Sequence, residues 1–345
     1  MSSPASTPVD EALVRWLAVA VLVVACCAGI AFGTEETSVV RAIQNASSLD
    51  RTLLLSIRAP RVAMAALAGG GLAIVGACFQ ALLRNPLAEP FVLGVSGGAA
   101  LGATTAIALG LGATTLLGAA LVPGAALVGG LVATLLVYAI GRAARGDNVG
   151  TSMLLAGVIV NSIAAALITL LKSIVPPSRA LSLLRWLMGF IDLPSAATLA
   201  TVGIYVAAGS LVLLWDAARL NLLALGDESA TALGVDLRAF QRRAFFASSC
   251  IVGAVVSTTG LIGFVGLIVP HVLRRLASPD HRVLLPLSFI GGASTLVLCD
   301  LVGRMAFRAL HTELPVGTVT ALLGGPMFLF LLRRGEVQGA RQHRR

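Results

Sequence analysis

The residues that come closest to a catalytic motif are Gly94-Val95-Ser96-Gly97-Gly98, which fit the Gly-x-Ser-x-Gly pattern of serine hydrolases. A serine nucleophile needs a base within hydrogen-bond reach, and the one histidine inside an apolar run is His271. In hydrolases the pattern follows a β-strand, whereas here it lies in a run typical of a membrane helix. Packing of Ser96 on a Gly-rich helix face is therefore favoured. An intramembrane serine hydrolase that uses Ser96 and His271 is kept as an alternative.

Neither a metal site nor a nucleotide site is indicated. The four histidines are scattered, at His271, His281, His311 and His343, and no His-Glu-x-x-His motif is present. A phosphate-binding P-loop needs a glycine before its lysine, but the single lysine, Lys172, follows a leucine. The sequence thus predicts no catalytic residue, no metal ligand and no cofactor on this chain. ATP and Mg²⁺, if used, would be bound by a partner.

The composition is that of a polytopic membrane protein. Of the 345 residues, 57% are hydrophobic and 12% are charged, and the mean hydropathy is +0.93. A formal net charge of +9 could point to nucleic acid, but the arginines lie in segments between apolar runs and form no soluble basic face. We therefore expect membrane lipid, and no nucleic acid, around this chain.

Ten apolar runs approach the length of about 20 residues that a membrane-spanning helix needs. They predict an all-α bundle of about ten transmembrane helices in one domain over residues 1–345, with tails at 1–13 and 333–345. An amphipathic segment over 178–190 is expected at the membrane interface. The predicted spans cover residues 14–32, 62–83, 92–111, 115–140, 152–173, 195–215, 241–258, 261–276, 283–303 and 316–332.

The orientation of the bundle follows from the basic residues in the loops. Nine of the 25 lysines and arginines fall on one side of the ten-span arrangement, which leaves sixteen on the side that holds both termini. The side richer in basic residues is normally cytoplasmic, so both termini are predicted to lie inside. The nine on the other side are Arg41, Arg51, Arg58, Arg61, Lys172, Arg179, Arg185, Arg304 and Arg308.

A segment on the predicted cytoplasmic side, residues 219–237, is typical of two very short helices joined at a glycine elbow. The first would end at Gly226, and Asp227 could cap a second that ends at Gly234. Helices this short need support from neighbouring spans or from a partner. The segment is either an ordinary connecting loop or a docking surface for a cytoplasmic protein.

The spans contain no acidic residue or histidine at the middle of the membrane, where proton-driven transporters usually place one. A secondary transporter is therefore disfavoured, and it is kept as a third alternative. A bundle without its own coupling residue or nucleotide site fits a subunit that is moved by a separate ATPase.

Ordered motifs along residues 55–334 resemble those of the FecCD/BtuC-type permeases, the membrane subunits of type II ABC importers for iron-siderophores, haem and cobalamin. This resemblance implies a BtuC-like bundle and import of such a cargo by a complex in the bacterial inner (plasma) membrane. The motifs include Arg58-Ala59-Pro60-Arg61, Asn85-Pro86-Leu87-Ala88-Glu89-Pro90, Leu93-Gly94-Val95-Ser96-Gly97-Gly98-Ala99, Gly263-Phe264-Val265-Gly266, Asp280-His281-Arg282 and Glu313-Leu314-Pro315-Val316-Gly317.

The resemblance also implies roles for three groups of residues. The 219–237 segment would form the coupling helices that dock on the ATPase, through Leu220, Leu223, Leu225, Gly226, Asp227, Glu228, Ala230, Leu233 and Gly234. A cytoplasmic gate would be formed by Asn85, Pro86, Leu87, Thr151 and Ser152. Outward-facing arginines would pair with glutamates of a periplasmic or lipid-anchored binding protein, or else reach lipid headgroups; they are Arg58, Arg61 and Arg304.

A single ten-span unit also implies partners. The importer would hold two permease copies, as a homodimer or with a related permease, together with two ATPase subunits and one binding protein. The sequence does not distinguish among siderophore, haem and cobalamin.

Overall fold

The structure, a computed structural model, describes residues 11–35, 37–44, 48–91, 93–111, 116–143 and 149–342. Within these ranges the regular elements are helices, which confirms the all-α prediction. One turn of π-helix, Leu53–Arg58, joins the third helix to the fourth. The α-helices are α1 (Glu11–Ala31), α2 (Val39–Gln44), α3 (Leu49–Thr52), α4 (Ala59–Leu82), α5 (Val95–Ala108), α6 (Leu116–Ala143), α7 (Val149–Ile174), α8 (Pro177–Met188), α9 (Ala196–Trp215), α10 (Ala217–Leu223), α11 (Asp227–Ala232), α12 (Leu237–Thr259), α13 (Val265–Leu276), α14 (His281–Met305), α15 (Phe307–Leu310) and α16 (Val316–Gln342).

Helix α4 forms the centre of the bundle, and glycines let its neighbours approach it closely. A Cβ atom added at Gly69 would lie 2.2 Å from the carbonyl oxygen of Gly292 on α14, and one at Gly76 would lie 1.8 Å from that of Gly266 on α13. Because any larger side chain would collide with backbone at these points, glycine fixes how near α13 and α14 lie to α4.

Each of the ten predicted spans coincides with a helix. Helix length and composition alone, however, do not determine how many of these helices cross a membrane. Among the described residues, six helices are long and apolar enough to do so, and α5 and the first half of α16 are shorter apolar helices. The count of ten transmembrane helices therefore stays a prediction. The tail expected over 333–345 instead continues α16 as far as Gln342.

Two helices, α5 and α13, begin inside the bundle. With 14 and 12 residues they extend about 21 and 18 Å, less than the roughly 30 Å of a hydrocarbon core. Each begins after a residue in the left-handed region, Gly94 at φ +84° and Phe264 at φ +70°. The irregular segments before them, residues 83–91 and 260–264, must therefore lie within the protein, where other helices can satisfy their backbone.

Candidate coupling and gating site

The predicted elbow is present between α10 and α11. Gly226 joins the two helices at φ +112° and ψ +156°, a backbone region open essentially to glycine alone. The expectation that Asp227 caps α11 is wrong, since Gly226 is the N-cap residue and no side chain caps this helix. Asp227 is the first residue of α11, and its carboxylate is used elsewhere, as described below.

The nine residues predicted to couple to an ATPase divide into three sets. Leu220, Leu223 and Ala230 are fully buried against the permease itself, so they anchor the elbow. Leu225 and Leu233 have 65% and 59% of their surface exposed, so both side chains are accessible to a partner. The remaining members are the two glycines, Gly226 and Gly234, and the exposed acidic pair Asp227 and Glu228.

Polar contacts fix the elbow to the bundle at both of its sides. The buried carboxylate of Asp216, at the start of α10, pairs with Arg219 and with Arg243 of α12, the latter at 3.1 Å. On the other side, the Asn221 amide donates to Asp280 at 2.6 Å and accepts from the backbone N–H of His281 at 2.9 Å. Hydrogen bonds from the Arg282 amide and from Asn221 lower the pKa of Asp280. The elbow is therefore a rigid surface and not a loose loop.

Arg84 connects this elbow to the end of α4. Its guanidinium donates to the carbonyl oxygen of Leu223 at 3.1 Å and forms an ion pair with Asp227, so it spans the gap between α10 and α11. Arg84 itself adopts a left-handed conformation, φ +47°, which non-glycine residues rarely take. The predicted site omitted Arg84, although its place directly before Asn85-Pro86 marked the end of a span.

The predicted gate residues Asn85, Pro86 and Leu87 lie in the segment that follows, residues 83–91, which we call the gate loop. The Asn85 side chain accepts from the backbone N–H of Leu87 at 2.9 Å, which forms a local turn that leaves Leu87 41% exposed. Further along, the Asn161 amide of α7 donates to the carbonyl oxygen of Phe91 at 2.6 Å. The gate loop is thus held at its start by the elbow and near its end by α7.

The other two predicted gate residues, Thr151 and Ser152, lie in the first turns of α7. Ser152 is half-buried, and the side chain of Thr151 is outside the described part of the chain. Their helix is the one whose Asn161 holds the gate loop. The gating role of all five residues stays a prediction.

Glu89 is a functional candidate that the sequence prediction missed. Its carboxylate accepts from the backbone N–H of Phe264 at 2.5 Å. Glu89 is half-buried beside this donor. Glutamate between alanine and proline in an otherwise apolar stretch was the available signal, but its burial depends on contacts distant in sequence.

The three arginines expected to dock a binding protein lie at the opposite end of α4 and α14, and each is engaged within the chain. Arg58 donates to the carbonyl oxygens of Ile30 and Ala31 at 3.2 and 2.8 Å, and Arg304 donates to those of Gly29 and Phe32 at 2.9 and 3.1 Å. Both side chains therefore satisfy the carbonyl groups that α1 leaves open at its C-terminus.

Arg61 completes this arginine end. It pairs with Asp300 at 3.0 Å and with Glu313 at 3.2 Å, while Arg304 pairs with the other oxygen of Asp300 at 2.8 Å. Of the three arginines, Arg61 is the most exposed, at 17% of its side chain. Their predicted pairing with a partner would have to compete with these contacts.

The hydrolase alternative finds no support. Ser96 is buried near the start of α5, and His271 lies in α13 with an unpartnered, buried Nε2 atom. Among the described residues no hydrogen bond links the two side chains, and no group of three or more metal-binding side chains is present.

Comparison with known proteins agrees with the resemblance. The sequence matches the FecCD transport family over residues 21–334. It is 39% identical over 340 residues to the cobalamin import permease BtuC of Halobacterium salinarum, covering 96% of this chain and 83% of that one. It is 36% identical over 300 residues to the hemin transport permease HmuU of Yersinia pestis, covering 86% and 89%.

Among solved structures, the chain is similar to a metal-chelate type ABC transporter in an inward-facing conformation. The TM-score is 0.82 at 30% identity, over 92% of this chain and 98% of that one. Relatives of this kind are permease subunits whose ATPase activity lies on a separate chain, so this protein is a multi-pass transporter subunit and not an enzyme. Matched over most of its length, the chain belongs to the FecCD transport family of ABC importer permeases.

Proposed function

We propose that this permease imports a large metal chelate, with tetrapyrroles such as cobalamin and haem as the first candidates and iron-siderophores as the second. The names of the relatives, one for cobalamin and one for hemin, support the tetrapyrrole class. The proposed complex holds two copies of this chain, two ATPase subunits that bind ATP and Mg²⁺, and a binding protein on the outer side. Both chain termini would lie in the cytoplasm.

The observation that carries the proposal is the shape of the elbow. Its exposed surface carries two leucines and an acidic pair. Below that surface, Leu220, Leu223 and Ala230 pack into the permease, and the polar contacts of Asp216 and Asn221 hold the elbow in place. A rigid surface of this kind can receive a displacement from a docked ATPase, whereas a mobile loop would absorb it. We therefore assign the ATPase contact to the exposed members of the elbow and the anchoring to its buried members.

Arg58, Arg61 and Arg304 are retained as the outer docking region, in a modified form. Arg61 and the partly exposed Glu313 can meet a partner directly, because both reach the surface. Arg58 and Arg304 would act by holding the end of α1 in place, and so by shaping that surface.

The experiment that tests the coupling role replaces Gly226 with valine. A β-branched residue cannot adopt the observed backbone without a cost of about 1–3 kcal/mol, so the elbow would change shape. Cargo uptake by the reconstituted importer should fall while membrane insertion stays normal. Gly325→Val is the matched control, because a side chain added at Gly325 meets nothing within 4 Å. Normal uptake by Gly226→Val would contradict the coupling role.

The cargo is tested in the same liposomes, with the cognate binding protein supplied. Uptake of cobalamin, haem and a ferric siderophore is measured in parallel, with and without ATP. ATP-dependent uptake of a tetrapyrrole is expected, and uptake of the siderophore alone would shift the assignment to the second class.

A further inference from the structure

Glu89 places a partly buried carboxylate at the N-terminus of α13. Its acceptor oxygen lies 2.5 Å from the backbone nitrogen of Phe264, the N-cap residue of that helix. The first turn of a helix has unpaired N–H groups and a positive partial charge, which suit an anion. Within the described parts of the chain no cation forms an ion pair with Glu89, so its polar partner is the start of α13. Pulling the two apart would leave a partly buried carboxyl without its hydrogen-bond donor, which is costly.

The bond joins two irregular segments that enter the bundle from opposite ends. The gate loop follows α4 from the elbow end, whereas residues 260–264 follow α12 from the arginine end. They also lie close to one another at Gly263, where an added Cβ atom would lie 3.8 Å from a carboxylate oxygen of Glu89, and a Cβ atom at Gly266 in the first turn of α13 would lie 3.1 Å from Cδ of Pro90. Glu89 and Phe264 are therefore the point at which the two ends of the molecule meet.

Residues 260–264 are in turn packed tightly on α8 and α16. A Cβ atom at Gly260 would lie 2.1 Å from the carbonyl oxygen of Trp186 on α8, and one at Gly317 on α16 would lie 2.7 Å from that of Leu261. The backbone N–H of Gly317 donates to Gly189 at 3.2 Å. Backbone contacts this close leave little room for independent movement. A displacement of residues 260–264 must therefore shift the C-terminal end of α8 and the first turn of α16.

We propose that Glu89 is a positioning residue of the transport cycle, whose hydrogen bond to Phe264 makes the gate loop and the start of α13 move as one body. The path runs from the elbow through Arg84 to the gate loop, and from Glu89 to α8 and α16. The inference rests on the proposed function, because an ATPase must move the elbow. It adds the connection by which that movement reaches the far side of the bundle.

The first test measures ATP hydrolysis and cargo uptake together in liposomes that hold the complete importer. Glu89→Ala removes the acceptor and should lower the cargo moved per ATP by about tenfold, as expected for loss of a hydrogen bond to a charged group, while hydrolysis continues. Glu89→Gln keeps an acceptor oxygen and should restore most of the ratio. Ser249→Ala is the control, because this buried hydroxyl donates only to Phe245 of its own helix.

Three results of that test would overturn the proposal. They are a wild-type ratio in Glu89→Ala, a parallel fall in hydrolysis and uptake, which indicates a merely structural role, and a Glu89→Gln variant as impaired as the alanine variant. A wild-type importer that hydrolyses ATP but moves no cargo would instead contradict the proposed function. The two failures are therefore distinguishable.

The second test measures movement at the end of α8, the far end of the path, in the wild type, in Glu89→Ala and in the conservative variant Glu89→Gln, which is expected to fold. Met188, 47% exposed, is replaced by cysteine, and its labelling by a membrane-impermeant thiol reagent is compared with and without ATP. The chain without the added cysteine gives the background. The labelling rate should depend on nucleotide in the wild type and in Glu89→Gln, and should lose that dependence in Glu89→Ala. Nucleotide dependence that survives in Glu89→Ala, or is absent from the wild type, would overturn the proposal.

Discussion

At the scale of single residues, Arg84 connects two parts of the candidate site and contributes little to stability. Its ion pair with Asp227 is about half exposed, and pairs of this kind contribute about 0.2–1 kcal/mol. Its left-handed backbone costs about 1–2 kcal/mol. The residue therefore adds almost nothing to the stability of the fold. What it does provide is a direct link between the elbow and the gate loop.

Replacing Arg84 with alanine should therefore reduce uptake per ATP without lowering the melting temperature. The reversed pair, Arg84→Asp with Asp227→Arg, restores the attraction of opposite charges and should recover part of the ratio. A double-mutant cycle on the reconstituted importer measures this coupling. Arg15→Ala, which breaks an exposed pair with Glu11 within α1, should change neither quantity. Additive losses in the two single variants would contradict a link between Arg84 and Asp227.

At the scale of elements, most helices could be predicted from apolar run length, and their ends lie within a few residues of the prediction. The exceptions are informative. Helix α13 begins at Val265 and not at 261, because residues 260–264 are held by close backbone contacts with α8 and α16. Glu89 was missed for the same reason, since its partner lies 175 residues away. Local sequence patterns predict where helices form, but they do not predict which segments contact one another inside the bundle.

The end of α1 shows how tertiary contacts can redirect a predicted site residue. The family resemblance implies that Arg58 and Arg304 pair with a binding protein, and that role stays a prediction. In the structure both donate to carbonyl groups at the end of α1, which have no other donor in the helix. A helix terminus of this kind is itself a ligand for arginine.

Removing Arg304 should therefore destabilise the bundle. The variant Arg304→Ala leaves Asp300, 1% exposed, with only Arg61 as partner and frees two carbonyl groups of α1. We expect a loss of about 3 kcal/mol, the range for breaking a buried ion pair, measured as a lower melting temperature in detergent. Arg185→Ala, which breaks the exposed pair with Asp192, should have no measurable effect. A normal melting temperature with weakened binding-protein affinity would instead favour the docking role alone.

At the scale of the whole molecule, the two polar regions lie at opposite ends of the same central helices. The elbow is fixed near the end of α4 and the start of α14, and the arginine end lies at the start of α4 and the end of α14. An importer must receive energy on one side and cargo on the other. The arrangement suits that task only if the elbow faces the cytoplasm.

The orientation can be tested at both ends at once. Leu225 on the elbow and Leu310 beyond the arginine end are 65% and 56% exposed, so cysteine at either position can be reached by an impermeant thiol reagent. With the permease expressed without its ATPase, Leu225→Cys should be labelled only in inside-out vesicles and Leu310→Cys only in right-side-out ones. Sixteen of the 25 basic residues on the elbow side favour this result. The opposite labelling would place the elbow outside, where no ATPase could dock, and would remove the basis for the path through Arg84 and Glu89.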